Sequence, residues 1–301
     1  MNVRKPTKKA KRKIIAPLKS KLLPFSPTPG SPLAVFENIM RASENSLDQA
    51  QELIYDAWEA PTQKEAVALA KKALSISGNC ADAFNLLAEM TAKSPAEAVE
   101  LYRKGVEAGE RAIGKQTFKR DAGFFWGNVE ARPFMRALAG LAQSLWKVGD
   151  HEKALIHFRE ALRFNTNDNQ GIRFLLMPRL IELDKDRDAE KLFKQFKEDE
   201  MAAWAYSKAL LDFRKHGASL KASKSLETAF ENNQHIPFYL LGHKKVPPSI
   251  PDYYGVGDEN EAVFYVNENQ RAWEVTSDAI HWLKEKAKIK RNQMQQSIFL
   301  D

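Results

Sequence analysis

Five alanines set the terms for this chain: Ala66, Ala98, Ala154, Ala189 and Ala222 stand 32, 56, 35 and 33 residues apart. Each opens a run at helical spacing: Ala66, Ala70 and Ala73; Ala98 and Tyr102; Ala154, Phe158 and Ala161; Ala189 and Phe193; Ala222, Leu226 and Ala229. A small residue at the same place in every run is what a close helix crossing demands, with a larger one filling the gap beside it. Residues 135–164 display the whole unit. Leu138, Leu141, Ala142 and Leu145 recur at helical spacing, Gly149-Asp150 breaks the run, and the Ala154 run follows. Such a helix pair cannot bury its apolar side alone, so the repetition predicts an all-α array of about five stacked hairpins.

The pattern resembles the tetratricopeptide repeat, whose second helix carries Ala-x3-Phe-x2-Ala. The other hairpins fall at residues 46–59 with 61–77, 79–92 with 94–109, 168–183 with 185–197, and 199–215 with 217–232. Pro61-Thr62 and Ser94-Pro95-Ala96-Glu97 supply helix starts, and Gly78 supplies a stop. The long interval marks an insertion of roughly one helix between Gly109 and Pro133. It carries Phe118, Phe124, Phe125 and Trp126, which must pack back on the array or expose an apolar patch; packing is expected. Beyond Asn233 the period is lost. A short helix at 235–242, a Pro-rich turn at 247–251 and a helix pair at 259–269 and 272–286 read as an irregular cap. The expected organisation is a disordered basic tail at 1–33, the tetratricopeptide-like array at 34–233 with its insertion near 110–132, capping helices at 234–286 and a frayed tail at 287–301.

Charge looks at first like a nucleic-acid signal. The net charge is +7, yet nine Lys/Arg and no acid lie in residues 1–21; taking those nine from the 46 basic residues leaves 37 against 39 acidic ones. The body is nearly neutral, so a basic grip on nucleic acid belongs to the tail alone, through Lys8, Lys9, Lys11, Arg12 and Lys13. That run reads first as a solvated tail, and otherwise as a nuclear address or an RNA or ribosome contact. No stretch approaches the roughly 18 apolar residues of a membrane span. The single Cys80 excludes a disulfide framework and a multi-cysteine metal site. A cytoplasmic location is expected, or a nuclear one in a eukaryote.

No P-loop, dinucleotide fingerprint, H-E-x-x-H or G-x-S-x-G is present, and the six histidines are scattered. Neither catalysis nor a cofactor is expected. What remains is a groove: first helices of stacked hairpins line one wall, and side chains beside the core positions point into it. These are Arg136, Gln143, Trp146 and Lys147, then Asn169, Arg173 and Met177, then Trp204, Ser207 and Arg214. The mixture suits an extended acidic peptide or chain terminus of a protein partner, with Arg forks on carboxylates and Trp as anchor. On that reading Arg136→Glu with Arg173→Glu removes capture and leaves the helices intact.

A narrower resemblance rests on residues 80–89 (CADAFNLLAE), Glu97-Ala98-Val99-Glu100-Leu101-Tyr102, Gly105-x3-Gly109-Glu110, and above all Asn233-x-His235-Ile236-Pro237-x-Tyr239-Leu240-Leu241 with Gly257-Asp258-x2-Glu261-Ala262 and Trp273. Together they resemble the suppressor of tumorigenicity seven family over residues 49–283. The resemblance implies a helical-repeat fold and transfers no catalytic residue. Eukaryotic members carry hydrophobic segments near the N-terminus, whereas that region here is basic and Pro-rich.

Overall fold

The computed structural model describes residues 32–298. Contacts divide the chain into residues 1–45 and 46–301; among the described residues the first holds only the opening of α1 (Pro32–Trp58). The second holds the hairpins: α1 with α2 (Gln63–Ile76), α3 (Ala81–Thr91) with α4 (Pro95–Arg120), α5 (Arg132–Lys147) with α6 (His151–Phe164), α7 (Ile172–Glu182) with α8 (Asp186–Gln195), and α9 (Ala202–His216) with α10 (Leu220–Asn232). The short α11 (Ile236–Leu240) leads to α12 (Glu259–Val275) and α13 (Ala279–Ile298). Among the described residues there is no strand, only an isolated bridge between Phe124 and Asn165. The fold is all-α and tetratricopeptide-like.

Local chemistry sets the boundaries. Thr62, Ser94, Ser219 and Asp258 each accept from the backbone N–H three residues on, at 3.2, 3.3, 3.3 and 2.8 Å, satisfying donors that a helix start leaves unpaired. Ala66, Ala154, Ala189 and Ala222 are all at most 1% exposed. Ala98 is only half-buried, because in α4 the close approach has moved to glycines. A side chain on Gly109 would meet the Cβ and Cα of Phe134 at 2.7 and 3.0 Å, and one on Gly140 would enter the Tyr102 ring. The seam between α4 and α5 therefore closes nearly backbone to backbone, which only glycine permits.

The insertion holds a short helical stretch, residues 115–120, set off from the rest of α4 by the non-helical backbone of Gly114. Helix α4 runs on to Arg120 with a break at Gly114 (φ 71°), and two single 3-10 turns, Phe125–Gly127 and Val129–Ala131, lead into α5. Its aromatics pack back: Phe125 stacks on Phe164 at 4.8 Å, and Phe118 meets Phe125, Phe134 and Phe164 edge-on at 5.0, 5.2 and 5.4 Å. Phe124 alone of the four aromatics stays exposed, at 68%.

The cap differs from a terminal hairpin stacked on the end. Among first helices, α3 packs on α5 and α7 on α9; α12 packs on α7, α9 and α11. It thus lies along the inner row over the last two hairpins. Helix α13 continues to Ile298, past Lys286 where the pattern placed its end, and Trp282 stacks on Phe213 of α9 at 4.5 Å.

Candidate functional site

The groove residues divide along the row. In the C-terminal half they are enclosed. Trp204 is 1% exposed, stacked on Phe193 at 5.5 Å with Phe174 and Phe196 edge-on; Met177 and Ser207 are 1% and 3% exposed. These are core positions, contrary to the expectation of a ligand wall: rings of α7, α8 and residue 196 enclose Trp204, and Ser207 meets Tyr265 of α12. Glu261 of α12, 3% exposed, accepts from Ala202 N at 3.2 Å, Asn233 Nδ2 at 3.0 Å and Gly257 N at 2.7 Å. Arg179 donates to the Glu268 carbonyl at 2.9 Å and its carboxylate at 2.6 Å. Tyr206 faces Tyr265 at 5.5 Å.

The three arginines are spoken for by acids of this chain. Arg136 is bidentate on Asp82, whose side chain has no exposure, with Nε to Oδ1 at 2.9 Å and Nη2 to Oδ2. Arg173 joins Asp168 at 2.9 Å to Asp199 at 2.7 Å. Arg214 holds Asp186 at 2.8 Å, Asp184 at 2.7 Å and the Thr276 hydroxyl at 2.9 Å. Each ties one hairpin to a neighbour or to the cap. The forks expected to grip a partner's carboxylates are used to hold the array together. Gln143 donates to Ala139 O at 3.5 Å and is half-buried; Lys147 and Asn169 are exposed. Trp146 lies between the His151 ring at 4.1 Å and the Arg179 guanidinium at 5.3 Å. Lys8, Lys9, Lys11, Arg12 and Lys13 lie outside the described residues.

An uncovered surface remains on α1, α3 and α5. Its base is Asp82, which accepts from Gln51 at 3.1 Å and Asn85 at 3.0 Å besides Arg136. Above it the Arg136 guanidinium lies over the Trp58 ring at 5.3 Å, and Trp58 meets Tyr55 at 5.6 Å. Tyr55 and Trp58 are 42% and 47% exposed, although helical side chains of that size in an array normally bury. Glu89, in the last turn of α3, exposes part of its side chain while its carboxyl is turned in toward Arg136 and the Tyr102 hydroxyl. Burial and the nearby Asp82 charge raise its carboxyl, opposed by Arg136 and the Tyr102 hydroxyl. Sequence reasoning missed Tyr55 and Trp58. The available signal was four acids and no base across residues 46–59, a composition that keeps one face of α1 in water.

Cys80 has no exposure and burial pushes its thiol up to about 11, so it is not a ready nucleophile. Among the described residues no three His, Cys, Asp or Glu side chains converge to hold a metal, and no helix is long and apolar enough to cross a membrane.

A family model described as ST7 protein matches residues 36–290. A suppressor of tumorigenicity 7 protein-like from Gallus gallus is 24% identical over 272 residues, 82% of this chain and 48% of that protein. A protein ST7 homolog from Caenorhabditis elegans is 23% identical over 284 residues, 82% and 52%. The chain thus spans about half the length of the curated relatives it matches. Among solved structures, YrrB, described as a TPR protein with an unusual peptide-binding site, aligns with a TM-score of 0.45 and 19% identity over 66% of this chain and 90% of that one.

Proposed function

The chain belongs to the ST7 protein family, and from that premise we propose that it acts without catalysis as a protein-interaction scaffold whose docking surface is the inner row formed by α1, α3 and α5. One observation carries the reading: α12 covers the inner row at α7 and α9, whereas α1 presents a large aromatic pair to solvent. Two rings that are 42% and 47% exposed forgo burial worth about 1.5–3 kcal/mol for each side chain fully covered. A partner that covers them recovers the part still outstanding, a little under half of that free energy, and Trp and Tyr are the side chains on which such interfaces concentrate their affinity.

Affinity capture with the full chain tests the proposal. Tyr55→Ala with Trp58→Ala is expected to lose the captured partner. Ile156→Ala with Leu220→Ala, which removes exposed apolar side chains from α6 and α10 (54% and 84% exposed), is expected to retain it. Equal retention by both variants overturns the assignment to the inner row.

A further inference from the structure

The exposed aromatic pair sits in a setting that selects one kind of partner. Tyr55 has Glu52 one turn before it and Asp48 a turn further back, on one side of α1, and Glu59 follows in the bend just past the helix end; all three acids are exposed. No ion pair to a described Lys or Arg occupies any of the three. Surface acids on other helices are differently placed: Glu100 and Glu107 share Arg103, Asp188 pairs with Arg159 and Lys191, and Glu190 pairs with Lys215. Residues 46–59 contain four acids and no base, so nothing within that stretch offsets the potential.

The neighbouring ring shows what such an aromatic holds. Trp58 already carries a guanidinium, that of Arg136, at 5.3 Å from the ring centre, a geometry in which the ring quadrupole attracts a cation. Tyr55, tilted 47° against Trp58, offers a second ring flanked by carboxylates and bearing no such internal cation among the described residues.

We propose that the α1 strip of Asp48, Glu52, Tyr55 and Trp58, with Glu59 in the bend that follows, docks a basic segment of a partner protein, with a Lys or Arg on Tyr55 beside Glu52. This rests on the scaffold reading above and names its chemistry, which is opposite in charge to the acidic peptide that the arginines suggested. Its helical part, residues 48–58, spans eleven residues, roughly 16 Å. An extended segment with basic residues at alternate positions places a cation about every 6.6 Å on one side, so two or three such residues cover it.

Fluorescence anisotropy with the full chain and three labelled nine-residue peptides tests this: alternate positions are Lys/Arg in one, Glu in the second and Gln in the third. The basic peptide is expected to bind, and to weaken steeply with added salt as solvent-exposed charges do. Glu52→Lys with Glu59→Lys is expected to weaken it about tenfold, the summed effect of one cation-ring contact and two exposed pairs. The charge-matched Glu227→Lys with Glu231→Lys, on exposed positions of α10, is expected to leave it within about twofold. Equal weakening by both reversals, or binding of the Glu peptide as tight as that of the basic one, overturns the proposal. Partner capture that needs Tyr55 and Trp58 but is indifferent to Glu52→Lys with Glu59→Lys overturns the basic partner while leaving the scaffold standing; capture indifferent to all four removes both.

Discussion

Replacing Arg173 with alanine is expected to destabilise the fold by about 3–5 kcal/mol, the range seen when one partner of a buried ion pair is removed. Its guanidinium joins the Asp168 side chain, with no exposure, to that of Asp199, at 8%, while itself only 17% exposed. It also lies 4.1 Å over the Phe174 ring. Asp168 keeps the backbone donors of Ile172 and residue 173, at 2.7 and 2.9 Å, and Asp199 keeps that of Met201 at 2.9 Å; neither keeps a cation. Burial already raises the Asp168 carboxyl against the pull of Arg173. Without Arg173 that pull is gone, the folded-state value rises further, and the cost grows as pH rises through it. Urea denaturation is therefore expected to show a larger deficit at about pH 7 than at about pH 4, near the ordinary Asp value. A loss under about 1 kcal/mol, as for an exposed pair, would show that the two acids are not held dry. It follows that Arg136→Glu with Arg173→Glu, attractive from the sequence as a probe of ligand capture, tests folding instead.

Trp273→Ala is expected to cost about 3–5 kcal/mol as well, for a different reason: a large-to-small change that leaves a cavity. Trp273 has no exposure, donates from Nε1 to the Tyr265 hydroxyl at 2.8 Å and stacks on Trp282 at 6.5 Å. Tyr265 in turn faces Tyr206 of α9, and Trp282 faces Phe213 of α9. Loss of Trp273 thus loosens the seating of α12 and α13 on the inner row. Amide exchange is expected to accelerate in α7 and α9 as well as in α12, because their protection depends on the same packing. Faster exchange confined to α12 would mean that it is a detachable cover.

The hairpins were legible because their signal is local. The run of Ala154, Phe158 and Ala161 states both the period and the crossing point within eight residues. The arginines were misassigned because their partners are distant: Asp82 is 54 residues from Arg136, and Asp199 is 26 from Arg173. A search at helix-face spacing cannot see such pairs. The fates of Trp204 and Ser207 were illegible for the same reason, since Trp204 turns on Phe174, 30 residues before it, and Ser207 on Tyr265 of α12, 58 residues after it. A tryptophan beside a repeat's core positions reads alike whether a ligand or the chain itself covers it. Tyr55 and Trp58 were readable in principle, through the acids around them, but the repeat pattern marks only core positions such as Ala66, Ala70 and Ala73 on the second helix of that hairpin.

Thiol labelling tests most directly the claim that the chain fills its own inner row at α7 and α9 and leaves it open at α1. The natural Cys80 is fully buried and resists ionisation, which gives a silent background. Tyr55→Cys and Ser207→Cys place one probe at a position 42% exposed and another at a position 3% exposed. Under native conditions the account predicts that the Tyr55→Cys thiol reacts at nearly the rate of the denatured chain while the Ser207→Cys thiol is slower by about a hundredfold or more, the factor for an opening that costs roughly 3 kcal/mol. Comparable rates at the two positions would contradict it.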